Sequence, residues 1–434
     1  MSELLQKNKL IKINTYLVFA VAFTLPFSLD ISLKIFGLWI FTSLFLFDYN
    51  RLKKSKHKIY LALNLLLFAL YIAGIFYSDN IDGVLYQLGI KFYIFLLPFI
   101  FLWANPIYKR FFDKILAYHI LGSATAYIIC FAFALYSSLH FADGHIIFTP
   151  EFKQGESFWS SIVFHGNRFF YQPFSIFLHP SYAAINSNFA FAALVFLRRN
   201  PYKLQMSKLS KTIVRPGYFY TLLFILFLSI IEYSSRTNIL AFAFLLFFIV
   251  LTSKLRFKYF LSFLVIIISV AILLLNPRFV FFVKQTYQEG KMHEKPVAFN
   301  RYYLWKAGYE VATEHFFFGV GTGDLQNELN KIYEREGLKR PLSHNMNSHN
   351  EFLQHWARLG IFGLWILVLI FGYALIVALY CRRRLLFYFL VLVFINFTFE
   401  AMLDRVAGVM FYSFFLNLLL LMDFNREELP KISF

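Results

Sequence analysis

Residues Leu359 to Tyr380 read LGIFGLWILVLIFGYALIVALY, a run without one charged side chain. It supplies the ~20 consecutive apolar residues that carry a helix across the hydrocarbon core of a bilayer. Tyr259 to Leu275 is a second such run. Around them, the chain of 434 residues is 59% hydrophobic, 21% aromatic and only 15% charged, with a mean hydropathy of +0.59. A water-soluble fold would carry about a quarter charged residues, so most of this surface faces something other than water. The reading is an all-α polytopic membrane protein, which excludes a soluble Rossmann enzyme, a DNA-binding module and a disulfide scaffold.

In lipid every backbone polar group must be satisfied within its own segment, so long apolar runs between charged breaks are helices. Twelve are expected, at 13–29, 31–48, 59–77, 88–104, 113–139, 181–197, 217–233, 238–252, 258–275, 359–380, 385–400 and 408–423. The first apolar stretch follows Lys7, Lys9 and Lys12 and lacks a small-residue cleavage site, so it reads as a retained signal anchor. With the amino terminus inside, one set of breaks carries 25 Lys and Arg, whereas the opposite set, leaving out the long segment 276–358 with its 11, has only Lys34, Lys91, Lys153, Arg168, Arg236 and Arg405. Cytoplasmic loops hold such an excess. Both termini are therefore expected in the cytoplasm, and the distribution of the +18 charge points to a bilayer rather than to nucleic acid. The chain is expected to be one integral membrane domain, 1–434, with a periplasmic loop at 140–180 and a large one at 276–358, between the ninth and tenth helices. Long segments escape the charge rule, and these loops are where surface chemistry can be built. Cys130, inside an apolar run, and Cys381, beside Arg382 to Arg384, sit at different depths, so no disulfide is expected.

The segment Ser348-His349-Asn350-Glu351 has the S-x-x-E form of a capping box ahead of Phe352, Leu353, Trp356 and Leu359. This predicts Ser348 as the N-cap and His349 in the first helical turn, where the helix dipole disfavours an imidazolium and leaves a neutral base. The plain alternative is a polar helix start at the membrane surface. His344, the nearest rival, precedes the cap. His344, His349 and His355 are spaced five and six apart, which does not put three imidazoles on one helical face; with no H-E-x-x-H and no cysteine pair, no metal site is expected. The absence of D-x-D disfavours metal-assisted transfer from a nucleotide sugar, and no cofactor is expected.

Arg236, in Ser234-Ser235-Arg236-Thr237-Asn238, lies where short loops otherwise avoid arginine, so its charge is expected to have a partner. Arg301 opens the amphipathic stretch Tyr302, Leu304, Trp305, Gly308, Val311. Arginine suits phosphate because its planar fork donates bidentately and stays charged. Lys91, just inside the outer end of the fourth helix, reads equally as a phosphate ligand or a snorkelling side chain. Gly319-Val320-Gly321-Thr322-Gly323 lacks the strand and helix spacing of a nucleotide loop and reads as a tight turn between two interfacial helices. Glu400, Asp404 and Arg405 read either as an ion-pair network holding helix ends or as part of a site.

With these residues assembled, the chain resembles the O-antigen ligase family of membrane glycosyltransferases. His349-Asn350, nine residues, then Gly360-x-x-Gly363 is similar to that family's H-[NSQ]-x9-G-x-x-G signature leading into a transmembrane helix. Arg301-Tyr-Tyr-Leu-Trp305, Phe318 to Asp324, Ser235-Arg236, His179-Pro180-Ser181-Tyr182 and Glu400 to Gly408 also look like family positions, so that the resemblance runs from about residue 77 to the end. Leu364 stands where Thr or Asp is often seen, which leaves the subfamily open. The resemblance implies a GT-C-like fold of twelve helices in the bacterial inner membrane. It also implies a metal-independent, inverting transfer of a glycan from undecaprenyl pyrophosphate to an acceptor hydroxyl. Carried onto this chain, the essential loop histidine is His349, Arg236 and Arg301 lie near the pyrophosphate, and Lys91 and Arg405 complete the expected substrate contacts.

The expected mechanism has His349 as general base towards the acceptor hydroxyl while Arg236 and Arg301 neutralise the departing lipid pyrophosphate. The favoured acceptor is lipid A core, giving an O-antigen ligase. Segment 301–358 would form an interfacial platform, with Tyr302, Tyr303, Trp305, Phe316 to Phe318, Phe352 and Trp356 at the membrane surface and Arg335, Lys339 and Arg340 able to meet lipid A phosphates. The rivals are a polymerase of the same family, whose acceptor is another lipid-linked glycan, and a lipid-linked glycan transporter, which would carry its ionisable groups near the bilayer midplane.

Overall fold

The computed structural model describes residues 2–142, 144–152, 161–162, 166–200, 206–253, 256–275 and 301–421. Segment 276–300 of the expected large loop, Lys153 and the tail from 422 lie outside the described residues. A helix occurs at each of the twelve apolar runs: α1 Ser2–Thr24, α2 Leu29–Leu44, α3 Lys58–Ala73, α4 Ile81–Trp103, α5 Phe112–Ser138, α6 Pro180–Arg199, α7 Pro216–Glu232, α8 Arg236–Leu251 and α9 Lys258–Leu275 come before the large loop. Within that loop lie α10 Arg301–Glu314 and α11 Leu325–Arg335, followed by α12 Glu351–Tyr380, α13 Arg384–Phe399 and α14 Val406–Leu421. Among the described residues five helices are long and apolar enough to cross a membrane: α3 extended by its 3-10 turn to Tyr77, α4, α5, α6 and α12. α7, α8, α13 and α14 are shorter apolar helices.

Three of these helices, α1 from Ser2 rather than 13 among them, start well before the apolar run that announced them, because hydropathy reads only the lipid-facing part. α4 begins at Ile81 rather than 88, where the Asn80 side chain accepts from Gly83 N at 2.9 Å. α12 begins at Glu351 rather than 359 and is interrupted at Gly360, with φ 70° and ψ −171°. That conformation belongs essentially to glycine. A Cβ there would lie 2.0 Å from Phe317 O, since the 316–321 backbone crosses the break: Val320 N donates to Ala357 O at 3.0 Å, Gly321 N to Arg358 O at 3.1 Å and Ile361 N to Phe316 O at 2.8 Å. The break divides α12 into a nine-residue amphipathic head, Glu351 to Leu359, and the long apolar run beyond it.

α6 and α14 run through the interior, with every residue from Gly408 to Leu421 buried. The interior of α6 is not uniformly apolar. Asn188 Nδ2 donates to Asn238 O at 3.0 Å, Asn238 Nδ2 donates to Ser181 O at 2.9 Å, and Asn396 Nδ2 donates to Asn238 Oδ1 at 3.2 Å. Interhelical amide bonds of this kind fix register where lipid offers no hydrophobic drive between helices. This one sets the ends of α6, α8 and α13 beside one another. A second, smaller core of Leu304, Val311, Leu325, Leu329, Ile332 and Tyr333 unites α10 and α11 and packs on Ala357 of α12. Cys130 is buried and Cys381 exposed, and both are free.

Candidate functional site

Two segments meet at the head of α12. Glu351 Oε2 accepts Leu403 N at 2.6 Å, Gln354 Nε2 donates to Asp404 Oδ2 at 2.6 Å, and Arg358 donates bidentately to Asp404, Nη1 to Oδ1 at 2.5 Å and Nη2 to Oδ2 at 2.9 Å. These contacts repeat down successive turns of one helix and brace it to residues 403–404. The residues just ahead of the brace on each chain, His349 and Glu400, are thereby brought together. His349 Nδ1 lies 2.8 Å from Glu400 Oε2, and Arg301 Nη2 lies 3.3 Å from Glu400 Oε1. Arg301 Nη2 also donates to Thr237 Oγ1 at 3.2 Å, and the guanidinium stands 5.6 Å from the Phe399 ring centre. His349, Arg301 and Glu400 are all half-buried, so each reaches solvent at one edge. Arg301 Nε is buried without a hydrogen-bond partner among the described residues.

The helix start differs from the capping-box expectation. Asn350, not Ser348, is the N-cap, with its Oδ1 accepting Leu353 N at 3.0 Å. Glu351 does not reach back to the cap, because Leu403 N holds its carboxylate, and Ser348 Oγ donates instead to Gln354 Oε1 at 2.6 Å. His349 therefore precedes the helix with φ 49°, supported by Asn347 Oδ1, which accepts His349 N at 3.0 Å. A non-glycine residue here is uncommon, although histidine tolerates it better than most. The helix dipole accordingly gives no account of the imidazole, which pairs instead with the Glu400 carboxylate. Burial pushes the Glu400 carboxyl up, and the His349 hydrogen bond with the His349 and Arg301 charges outweighs it, leaving the carboxyl below the usual carboxylate range. The hydrogen bond from Nδ1 to this carboxylate fixes the orientation of the imidazole ring.

Of the other expected site residues, Arg236 opens α8 half-buried, one residue before the Thr237 that anchors Arg301. Arg405 is exposed, and its charge, with those of Glu400 and His349, acts on His179 at the head of α6. Lys91 is neither at the helix end nor snorkelling. It is fully buried in α4, donating to Leu403 O at 2.5 Å and pairing with Asp404 at 3.3 Å. Asp404 thus gathers Arg358, Gln354 and Lys91. Burial pushes its carboxyl up, but Arg358 and Lys91 more than reverse this and hold it well below the usual range. The joint reading of Glu400, Asp404 and Arg405 separates into three roles: Glu400 faces His349, Asp404 braces from beneath, and Arg405 faces outward. Sequence reasoning missed Thr237, Arg358 and the His349–Glu400 pairing. Only the shared spacing of Glu351, Gln354 and Arg358 on one helical face hinted at the brace.

His344 is exposed, in contact with Ser343 and Arg340, whereas His355 is fully buried, with Nε2 3.2 Å from Tyr71 OH. Among the described residues no three His, Cys, Asp or Glu side chains converge in a way that could hold a metal ion. Residues 319–323 form the tight turn between α10 and α11. A Cβ at Gly321 would meet Ser78 Oγ at 2.4 Å and one at Gly323 would meet Asn80 O at 2.1 Å, so these glycines serve close packing. Tyr302 and Phe316 to Phe318 are exposed. Phe352 turns inward against Phe394 and Phe397, and Tyr303 packs on the small core. Arg335 is engaged by Glu310.

No curated protein matches the chain. A family model described as O-Antigen ligase matches residues 221–368, from α7 to the middle of α12, about a third of the chain, and that span contains Arg236, Arg301 and His349. This match, which takes in the signature from His349 to Gly363, supports the resemblance of the chain to the O-antigen ligase family.

Proposed function

We propose that the protein is a membrane glycosyltransferase that moves a glycan from undecaprenyl pyrophosphate to a hydroxyl of lipid A core, working at the periplasmic face of the bacterial inner membrane with both termini in the cytoplasm. The observation that carries this reading is the contact of His349, Glu400 and Arg301 within one hydrogen-bonded group, two of them inside the O-antigen ligase match. His349 Nδ1–H donates to Glu400, so the Nε2 lone pair takes the proton of the acceptor hydroxyl as its oxygen attacks the anomeric carbon. The bond from that carbon to the pyrophosphate oxygen breaks, and the electron pair leaves with the lipid pyrophosphate. Arg301, and Arg236 beside it, meet the charge that grows on the leaving group, an interaction stronger in the transition state than before it. The pyrophosphate linkage supplies the driving force, and no metal or nucleotide takes part. Arg405 contacts the donor from the outer rim. Lys91, buried on Asp404, is assigned a positioning role in place of substrate contact.

The test is reconstitution of the purified protein with lipid-linked glycan and either lipid A core or excess donor. Transfer to core that is lost in His349→Ala, kept in His344→Ala and unaffected by EDTA supports the reading. Chain lengthening with no transfer to core makes the protein a polymerase with the same base. Near-native turnover in His349→Ala overturns the base assignment.

A further inference from the structure

α5 has 27 residues, which at 1.5 Å each span about 40 Å, against about 30 Å of hydrocarbon. Its final turns therefore reach the boundary between lipid chains and headgroups. The chain then folds into an antiparallel hairpin, Leu139–Ala142 paired with His145–Phe148, turning through Gly144 at φ 77°. The register opposes Leu139 to Phe148 and Phe141 to Ile146, and because side chains alternate along a strand these four share one face. The other face carries His140, His145 and Ile147. The apolar face is uncovered, with Phe141 77% and Ile146 74% exposed. Such a face standing in water would cost the hydrophobic free energy of every side chain on it.

Its surroundings indicate what covers it. Phe169 lies 5.6 Å from Phe131 of α5 and 6.0 Å from Phe148, an aromatic seam that fixes the hairpin to the outer flank of this helix. That flank is itself apolar and exposed at Ile128, Phe131 and Leu135. The hairpin's apolar face thus continues a surface that α5 presents to lipid. It also lies at the end of the bundle that holds the site: α6 returns from this end with His179 at its head, close enough to feel the charges of His349 and Glu400.

We infer that the 139–148 hairpin is a membrane-interface wedge whose Leu139, Phe141, Ile146 and Phe148 face inserts among acyl chains of the leaflet on the His349 side, while His140 and His145 face the aqueous headgroup region. The inference rests on α5 crossing the bilayer and not on glycosyl transfer, so its test reads no activity. Full-length protein carrying Cys381→Ser would receive one cysteine at a time, Phe141→Cys, Ile146→Cys, His140→Cys or His145→Cys, labelled with an environment-sensitive fluorophore in phosphatidylethanolamine–phosphatidylglycerol nanodiscs. Labels at 141 and 146 are expected to show blue-shifted emission, quenching by nitroxide-bearing lipid and loss of iodide quenching, with the reverse at 140 and 145. Equal iodide quenching at all four positions overturns the wedge. Shielding of 141 and 146 from both quenchers also overturns it, and means that a second protein surface covers the face.

Discussion

Glu400→Gln isolates what the carboxylate does for the imidazole. The carboxylate now accepts from two sides, His349 Nδ1 at 2.8 Å and Arg301 Nη2 at 3.3 Å. Glutamine preserves its size but offers one acceptor oxygen and one NH2, so it cannot serve both neighbours, and it holds the histidine without charge. A hydrogen bond to a charged group contributes roughly 1.5–3 kcal/mol, and each 1.36 kcal/mol in a barrier is about tenfold in rate. A fall of about 10- to 150-fold in kcat is expected from these magnitudes. The same substitution relieves Arg301 of its intramolecular partner, so the KM for the lipid-linked donor should not rise. The assay is initial-rate transfer in proteoliposomes over a range of donor concentrations, with thermal unfolding of the variant as a check on folding. Wild-type kcat in Glu400→Gln, or a loss confined to KM, would refute the argument that Glu400 acts through His349.

Asp404→Asn breaks a buried bidentate pair and leaves Arg358 and Lys91 uncompensated, so a loss of about 3–5 kcal/mol is expected, seen as a lowered melting temperature in detergent; an unchanged melting temperature would remove the brace from the account. The pH dependence follows from the lowered carboxyls of Asp404 and Glu400. A carboxyl lower in the folded than the unfolded state contributes stability that is complete above its ordinary value of about 4 and is lost as pH falls through the folded value. Unfolding scans should therefore show a decline on acidification below about pH 4 that is blunted in Asp404→Asn. Gly360→Ala should cost at least about 1–3 kcal/mol from the backbone alone and reduce the folded yield, since its Cβ would strike Phe317 O. Gly372→Ala, which nothing approaches within 4 Å, should be neutral in the same yield measurement.

The helices were legible because long apolar runs leave the backbone few alternatives, and a helix stands at each. Their polar starts were not, as Ile81 and Glu351 show: a cap is a contest among side chains for a few N–H groups, and tertiary partners enter it. At residues 348–351 the local pattern favoured Ser348, but Leu403 N took the Glu351 carboxylate and Asn350 became the cap. His349, Arg301 and Arg236 stood out as candidate functional groups in positions a plain membrane protein does not need. Glu400 stood out only as an ion-pair or site residue, and its meeting with His349 was not legible, since it depends on a brace between segments about fifty residues apart. Lys91 was misplaced for a related reason. Hydropathy put it near a helix end, whereas α4 extends seven residues further back and buries it.

The asparagine hub governs the order in which the protein can mature. Asn238 is made early, with Asn188, but the carboxamide of Asn396 that completes the cluster is synthesised 158 residues later. Until then, an amide group of α8 in the interior lacks one of its partners. Glu400 and Asp404 follow Asn396 within a few residues, so the candidate site and the last amide of the cluster arrive together. A chain interrupted before α13 carries both a defect in its interior and an incomplete site. On the proposed function, a chain still being synthesised lacks the carboxylate that faces His349 until α13 is complete.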